Sequence, residues 1–275
     1  GTLWDGGLGF EIDAFYRLRE DILALPDSDI PFHFGASLPK TNLNSRDNRG
    51  FDLMLKHKGK IGNVSYSINP MVSYSRGKYV NWEENILPTT GVDAATAKAN
   101  AEYNRRYVLT GNWDDRQWGY QTNGFFTSQS QIDNHPVDID GAGNATVIVG
   151  NLIRIDQNGD GKIDWKDQIV IGQGGMPKWN YSTNMSFKFK NWNLDMLWQG
   201  ASGYTITFGG AAGPWSHSGH QTVAKSFAYE NRSLRGANGD IEVVKAFPPT
   251  FTTGGIPQVD NVATDFNRID AMYLR

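Results

Sequence analysis

The feature that most constrains this chain is a two-residue alternation sustained over runs longer than an ordinary strand. In residues 64–75, Val64, Tyr66, Ile68, Pro70, Val72 and Tyr74 alternate with Ser65, Ser67, Asn69, Ser73 and Ser75, and only Met71 breaks the polar side. In 179–190, Trp179, Tyr181, Met185, Phe187 and Phe189 alternate with Asn180, Ser182, Asn184, Ser186, Lys188 and Lys190. Residues 3–16 place Trp4, Leu8, Phe10, Ile12, Ala14 and Tyr16 on one face, against Asp5, Glu11 and Asp13. Residues 192–199 repeat the pattern with Trp192, Leu194, Met196 and Trp198, broken at Leu197, and residues 51–58 do so over a shorter span. A period of two sends successive side chains to opposite faces of a strand. Strands in globular proteins average about 5–6 residues, so these runs ask for an unusually tall sheet.

Composition narrows the architecture. The chain has 275 residues, 31 Gly, 9 Trp, 20% charged residues and no Cys. A disulfide framework, thiolate metal sites and cysteine catalysis are therefore excluded. The formal charge of −3 gives no electrostatic signal for nucleic acid. No apolar run approaches the roughly 18 residues of a membrane helix, but membrane strands hide their hydrophobicity in alternation. The polar faces are rich in Ser and Asn, and the apolar faces carry Trp, Tyr and Phe near the strand ends. A soluble sandwich and an outer-membrane barrel both accommodate such strands.

The connections favour the barrel. Short polar turns at 59–63 and around Asn191 join neighbouring strands, whereas the connections at about 19–48, 80–176 and 207–270 are long. Short periplasmic turns opposite long extracellular loops are the asymmetry of outer-membrane barrels, and structureless loops above about 15 residues are uncommon in compact soluble domains. The reading is an all-β chain, part of a large antiparallel transmembrane β-barrel with long extracellular loops. Its strands are expected at about 3–18, 49–58, 64–79, 177–190 and 192–206, with another starting at 271–275. Five spanning strands and a stub are too few to close even an eight-stranded barrel, so partner strands are expected from outside this chain. Within the 80–176 connection, 117–127 reads as strand-like and the Ala-rich 93–106 as a short helix.

A cation-loop motif lies in the same connection. Residues 156–167 read DQNGDGKIDWKD, with oxygen-bearing side chains at loop positions 1, 3, 5, 9 and 12: Asp156, Asn158, Asp160, Asp164 and Asp167. Gly161 stands at position 6, where the chain turns sharply, and Lys162 at position 7 offers its carbonyl. This is EF-hand spacing, which lets one tight loop present six or seven oxygens to Ca²⁺. Asp167 replaces the usual Glu, and its shorter side chain lowers the expected affinity. The flanks 152–155 and 168–171 read as strands, so the expected ion is structural, fixing the turn between them.

Enzyme readings find little support. His217 and His220 lack a nearby carboxylate set, the Ser residues follow the strand alternation, and Gly172-Gln173-Gly174-Gly175 lacks the Lys-Ser/Thr of a phosphate loop. Trp82, Trp113, Trp118 and Trp215 fall in expected extracellular loops, where indoles stack on sugars, pack on a partner or anchor loops to one another. Asp114 and Asp115 beside Trp113 offer polar contacts to such a ligand. A secreted calcium-stabilised β-sandwich that binds carbohydrate is the alternative. A dockerin-like module is a weaker one, because only one calcium loop is present.

These residues resemble a known family. WGYQTNGFFTSQSQI (118–132), DQNGDGKIDWKDQIVIG (156–172), Pro177, LDMLWQGASG (194–203) and DAMYLR (270–275) follow in order the phrases of SusC/RagA-type TonB-dependent outer-membrane transporters. NLNSRDNRGFDLML (42–55) resembles the family's hairpin opening, with Asp52 in place of Glu. The resemblance implies a bacterial outer-membrane location and TonB-powered import of oligosaccharides or peptides. It also implies a SusD-type surface lipoprotein as partner, and a plug and TonB-contacting segment supplied by the rest of the same transporter.

Overall fold

A computed structural model describes residues 1–3, 7–26, 39–207, 215–218, 221–224, 232–245 and 264–274. Trp4, His220 and the side chain of Trp215 lie outside the described residues. In chain order the strands are β1 (Thr2–Leu3), β2 (Leu8–Ala24), β3 (Thr41–Ile61), β4 (Val64–Asn81), β5 (Gln117–Gly119), β6 (Thr122–Phe125), β7 (Leu152–Arg154), β8 (Ile169–Gly172), β9 (Trp179–Phe189), β10 (Trp192–Thr207), β11 (Trp215–Ser218), β12 (Gln221–Ala224), β13 (Leu234–Arg235), β14 (Ile241–Val243) and β15 (Arg268–Leu274). Helices α1 (Ala94–Tyr107) and α2 (Gln129–Asp133) lie between β4 and β7. The chain divides into two compact units: 1–116 with 173–204 and 270–275, and 117–172 with 205–269.

The first unit is built on one seven-stranded sheet in the order β1-β2-β3-β4-β9-β10-β15. The ladders from β1 through β10 are antiparallel, and the sheet is open, as befits part of a barrel. Register sorts the side chains into two faces. Rows such as Ile12–Leu53–Val72–Tyr181 and Phe10–Leu55 carry the apolar set, and rows such as Asp13–Asp52–Ser73–Asn180 carry the polar set. On the apolar face Ile12 is 62% exposed, Tyr16 60%, Leu194 55% and Trp198 46%. A sandwich would bury this face under a second sheet; a barrel turns it to lipid and its polar face to the lumen.

Both hairpin turns are two residues long. Gly62-Asn63 joins β3 to β4 and Lys190-Asn191 joins β9 to β10, with φ of 59° at Gly62 and 51° at Lys190, as primed hairpin turns require. The strands extend well beyond the expected limits at the end opposite these turns. The expected 3–18 strand runs to Ala24, through a bulge between Arg19 and Ile22 where Asp21 has φ 58°. The expected 49–58 strand begins at Thr41. These additions put polar residues on both faces, so no alternation marked them. Strand thus takes up 19–24 and 41–48 of the supposed loop 19–48. The stub expected at 271–275 begins at Arg268 and takes β10 as its neighbour. The strand-like 117–127 resolves into β5 and β6.

Pro70 sits in β4, between two neighbouring strands. It has no N–H to give a ladder, and the β3–β4 pairing skips Leu55 and Lys56 opposite it. Beside the interruption lies a crevice of about 270 Å³ whose lining includes Leu53, Leu55, Pro70, Val72, Tyr181 and Trp198.

The second unit has a core of its own, of Phe125, Phe126, Ile132, Ile139, Val147, Val149, Leu152 and Ile241, with Ile163 packed against it. The strands expected on either side of the cation loop are present as β7 and β8. The strands flanking the cation loop do not pair with each other; β7 pairs with β6 and β8 with β5. The loop therefore links two separate two-stranded ribbons instead of closing a hairpin.

Candidate functional site

Residues 156–167 form a tight loop held by their own side chains. Asp156 Oδ1 accepts from Gly159 N at 2.6 Å and Oδ2 from Gly161 N at 2.8 Å; Asn158 Oδ1 accepts from Asp160 N at 2.8 Å; Asp160 Oδ1 accepts from Lys162 N at 3.2 Å. Gly159 and Gly161 have φ of 75° and 84°, which explains glycine at the two sharpest points. Asp164 caps the 3₁₀ turn Trp165–Asp167 and accepts from Lys166 N at 2.8 Å. Asp167 is fully buried and closes the loop, with Oδ1 accepting from Gln157 N at 3.0 Å and Oδ2 from Asp164 N at 2.8 Å.

The two ends of the loop differ electrostatically. Desolvation pushes the Asp167 carboxyl above the usual carboxylate range, and the backbone donors only partly offset this. At Asp156 partial desolvation acts upward, but the N–H groups of Gly161 and Gly159 outweigh it and hold the carboxyl below its ordinary value. Lys162 and Lys166 lie 3.6 and 3.7 Å from the Asp164 carboxylate. The donor set is all hard oxygen, as Ca²⁺ prefers. Each engaged carboxylate oxygen accepts one N–H and retains a lone pair. No group of three or more Asp, Glu or His side chains stands preformed as a metal cage among the described residues. The loop fits Ca²⁺ in chemistry and turn geometry, and its side chains would have to close in to hold an ion.

A neighbouring loop was not picked out from the sequence. Asp138 N donates to Gly161 O at 2.9 Å and Ile163 N to Asp138 O at 2.8 Å, which pins position 8 of the cation loop. From there residues 138–146 are stitched by Asp138, Asp140 and Asn144. Asp140 Oδ2 accepts from the hydroxyl and N–H of Thr146, which, with further backbone donors, holds its carboxyl far below the ordinary value. The run DIDGAGNAT was its only trace in the sequence.

The aromatic residues expected in extracellular loops do not form one cluster. Trp82 packs edge-on against Tyr79, with ring centroids 4.7 Å apart. Residues 111–114 add to the end of β4: Tyr79 N donates to Asn112 O at 2.9 Å and Asp114 N to Gly77 O at 3.2 Å. Consecutive residues there point to opposite faces. Trp113 opposes Lys78 on the apolar side, whereas Asp114 pairs with Arg46 on the polar side beside Gly77. Asp115 takes two bonds from Arg76, at 3.1 Å (Nε) and 2.9 Å (Nη2), and an ion pair from Lys178 at 2.6 Å. Partial burial alone would raise the Asp115 carboxyl; these two cations hold it below its ordinary value. Trp113, Asp114 and Asp115 thus do not converge on one ligand. In the second unit, Trp118 lies in β5 opposite Val170, and Trp215 opens β11 opposite Ala224.

No family model matches the chain. It is 23% identical over 206 residues to TonB-dependent receptor P26 of Formosa agariphila, a match that covers 74% of this chain and 19% of that protein. In structure it is similar to the RagAB peptide transporter, with a TM-score of 0.57 and 15% identity over the whole of this chain and 26% of that one. The "closed-closed" state of the RagAB peptide importer matches with a TM-score of 0.54 and 16% identity over the same shares. The chain therefore spans about a fifth to a quarter of the length of these relatives. The likeness in sequence is thus to a TonB-dependent receptor and the likeness in fold to RagAB, and the fold is that of an outer-membrane barrel segment.

Proposed function

We propose that this chain supplies barrel strands and extracellular structure to a TonB-dependent importer of oligosaccharides or peptides in the bacterial outer membrane. The observation that carries the reading is the two-faced sheet: five strands of 11–21 residues, apolar on one face and Ser/Asn-rich on the other, with two-residue turns at one end only. The proposed role is TonB-powered transport, without catalysis. Energy comes from TonB through the rest of the transporter, and a SusD-type surface lipoprotein is the proposed partner at the extracellular side. The test is uptake of labelled oligosaccharides and peptides by cells expressing the full-length protein. Depleting TonB should abolish uptake as completely as deleting the gene; uptake that survives TonB depletion refutes the reading.

The loop 156–167 is proposed to hold one structural Ca²⁺ through Asp156, Asn158, Asp160 and the Lys162 carbonyl, with Asp164 and Asp167 completing the shell. What supports this is the all-oxygen donor set on a loop already turned at Gly159 and Gly161. Calcium titration by calorimetry on the full-length protein should give a saturable heat. Replacing both Asp156 and Asp160 by Ala should remove it while barrel circular dichroism stays unchanged. Equal heats from both proteins would eliminate the site.

A further inference from the structure

The apolar face of the sheet changes character abruptly at its extracellular end. On β4 the apolar positions run from Val64 to Tyr74. Eleven residues at about 3.3 Å each, tilted by about 45°, give a height near 25 Å, which matches the lipid-facing band of an outer-membrane barrel. The band ends in a row of rings: Phe51, Tyr74 and Trp179, with centroids 4.6–6.1 Å apart. The next row pairs Arg49 with Arg76, and the one after it Asp47 with Lys78. On the same face, β2 to β4 and β9 to β10 carry no Lys or Arg between the rings and the periplasmic turns. The cations stand where headgroups of the outer leaflet begin.

These cations gather around one indole. Arg76 lies 4.3 Å from the ring centre of Trp113, Arg49 5.8 Å and Lys78 5.9 Å, and Arg49 also sits 5.3 Å from Tyr16. Asp47 pairs with Arg49, and Asp115 with Arg76 and Lys178. Three cations around the ring against the carboxylates of Asp47 and Asp115 leave one positive charge in the cluster. The Arg49 side chain is 41% exposed, and Lys78 has no carboxylate partner among the described residues.

We propose that this cluster binds the phosphorylated headgroup of an anionic outer-leaflet lipid, whose acyl chain lies on the belt below. The proposal rests on the barrel reading. Charge complementarity selects phosphate, which takes charge-assisted hydrogen bonds from Arg and Lys. The surface beneath selects a lipid over a free anion: the crevice of about 270 Å³ begins in the Leu53–Val72 row, directly under the rings, and offers a slot lined mainly by apolar residues of the same face, with Met71 and Ser182 of the neighbouring rows at its wall. Trp113 acts here as the ring that positions the guanidinium groups, not as a sugar platform.

The test uses the full-length protein in phosphatidylcholine nanodiscs. Binding of diphosphoryl lipid A is titrated by native mass spectrometry, with inorganic phosphate as competitor. Lys78→Glu should weaken binding about tenfold and the double variant Arg49→Gln/Lys78→Gln at least as much, while Lys78→Arg retains it. Lys58→Gln/Lys188→Gln, on the lumen face, should stay within twofold of wild type. Lys78→Glu carries the test if loss of Arg49 unfolds the rim by stranding Asp47. Unchanged affinity in Lys78→Glu, or equal loss in the lumen-face control, overturns the site. Competition by millimolar phosphate overturns the lipid as occupant. Failure of the wild type to insert into nanodiscs, read first by circular dichroism, sinks the barrel reading and this proposal together; insertion with undiscriminating binding sinks only the proposal.

Discussion

Arginine placed on alternate residues of β9 should report the two faces of the sheet and the depth of each row. The belt on β4 runs from Val64 to Tyr74, so its middle lies at Asn69, flanked by Ile68 and Pro70. Met185 pairs with Ile68 on one side and Met196 on the other, and is the apolar residue of the central row. Asn184 pairs with Asn69 and Leu197 on the polar face, one residue away along the same strand. Met185→Arg should therefore cost about 2–4 kcal/mol, the value for a cation at the bilayer midplane. That is roughly 30- to 700-fold in the folding equilibrium. Asn184→Arg should stay within about 0.5 kcal/mol. Phe187 lies two residues from the turn-proximal row of Phe189 and Val64, so Phe187→Arg should cost less than Met185→Arg, under about 2 kcal/mol. The measurement is urea unfolding of the full-length protein from phospholipid vesicles, with the denaturant slope checked for constancy. Equal costs at Met185 and Asn184, or a larger cost at Phe187 than at Met185, would refute both the face assignment and the belt height.

Three further outcomes are expected. A Cβ added at Gly50 would run into the Tyr74 carbonyl and lie 2.7 Å from the Phe15 ring, so Gly50→Ala should lower stability by about 1–3 kcal/mol in the same assay. Asp93 caps α1 by accepting from Ala95 N and Thr96 N, each at 3.0 Å; Asp93→Ala should loosen the first turns of the helix, seen as faster amide exchange across 94–100 with the barrel unaffected. Asp115→Asn strips the carboxylate from Arg76 and from the buried Lys178, and should destabilise the extracellular rim by about 3 kcal/mol. Because the Asp115 carboxyl is held below its ordinary value, its contribution is fully present above about pH 4 and lost as pH falls through the depressed value. Limited proteolysis of the 82–116 segment should accelerate below that pH in wild type but not in the variant.

The sequence was legible where the chain meets lipid and opaque where both faces meet water. Between Val64 and Tyr74 one face must be apolar, and the period shows through. Above that height β3 reads Asn42, Leu43, Asn44, Ser45, Arg46, Asp47, Asn48 and Arg49, polar on both sides, and nothing separates it from a loop. In β2 the signal was lost at a bulge: the extra residue around Asp21 shifts the parity of Ile22 and Leu23 against that of Leu18. The cation loop was legible because its spacing is local. Its surroundings were not, since the flanking strands pair with partners some 30–50 residues away and the anchor at Asp138 is a tertiary contact. The aromatic–acidic trio 113–115 misled because proximity in sequence says nothing about facing. Once residues 111–114 add to β4, neighbours separate onto opposite sides.

Alternation assigns each residue to a face but leaves register open, since a slip of two residues keeps every face intact. What a two-residue slip does break is the set of matched exceptions. Phe15 departs from the polar pattern of its strand and stands opposite Gly50, covering it. Met71, the one misfit in 64–75, stands opposite Met54 on the lumen face. Gly59 takes the Tyr66 ring, with the hydroxyl 2.6 Å from where its Cβ would be, and Gly200 takes the ring of Tyr181. Moving β4 by two residues against β3 would bring Met71 opposite Asp52 or Lys56 and pull Tyr66 off Gly59. An aromatic over a strand glycine restores the contacts that the missing side chain forfeits. The irregular positions are therefore what select one register among the many that alternation permits, and the tall sheet needs both signals to place the Arg49–Arg76 row at the edge of its apolar belt.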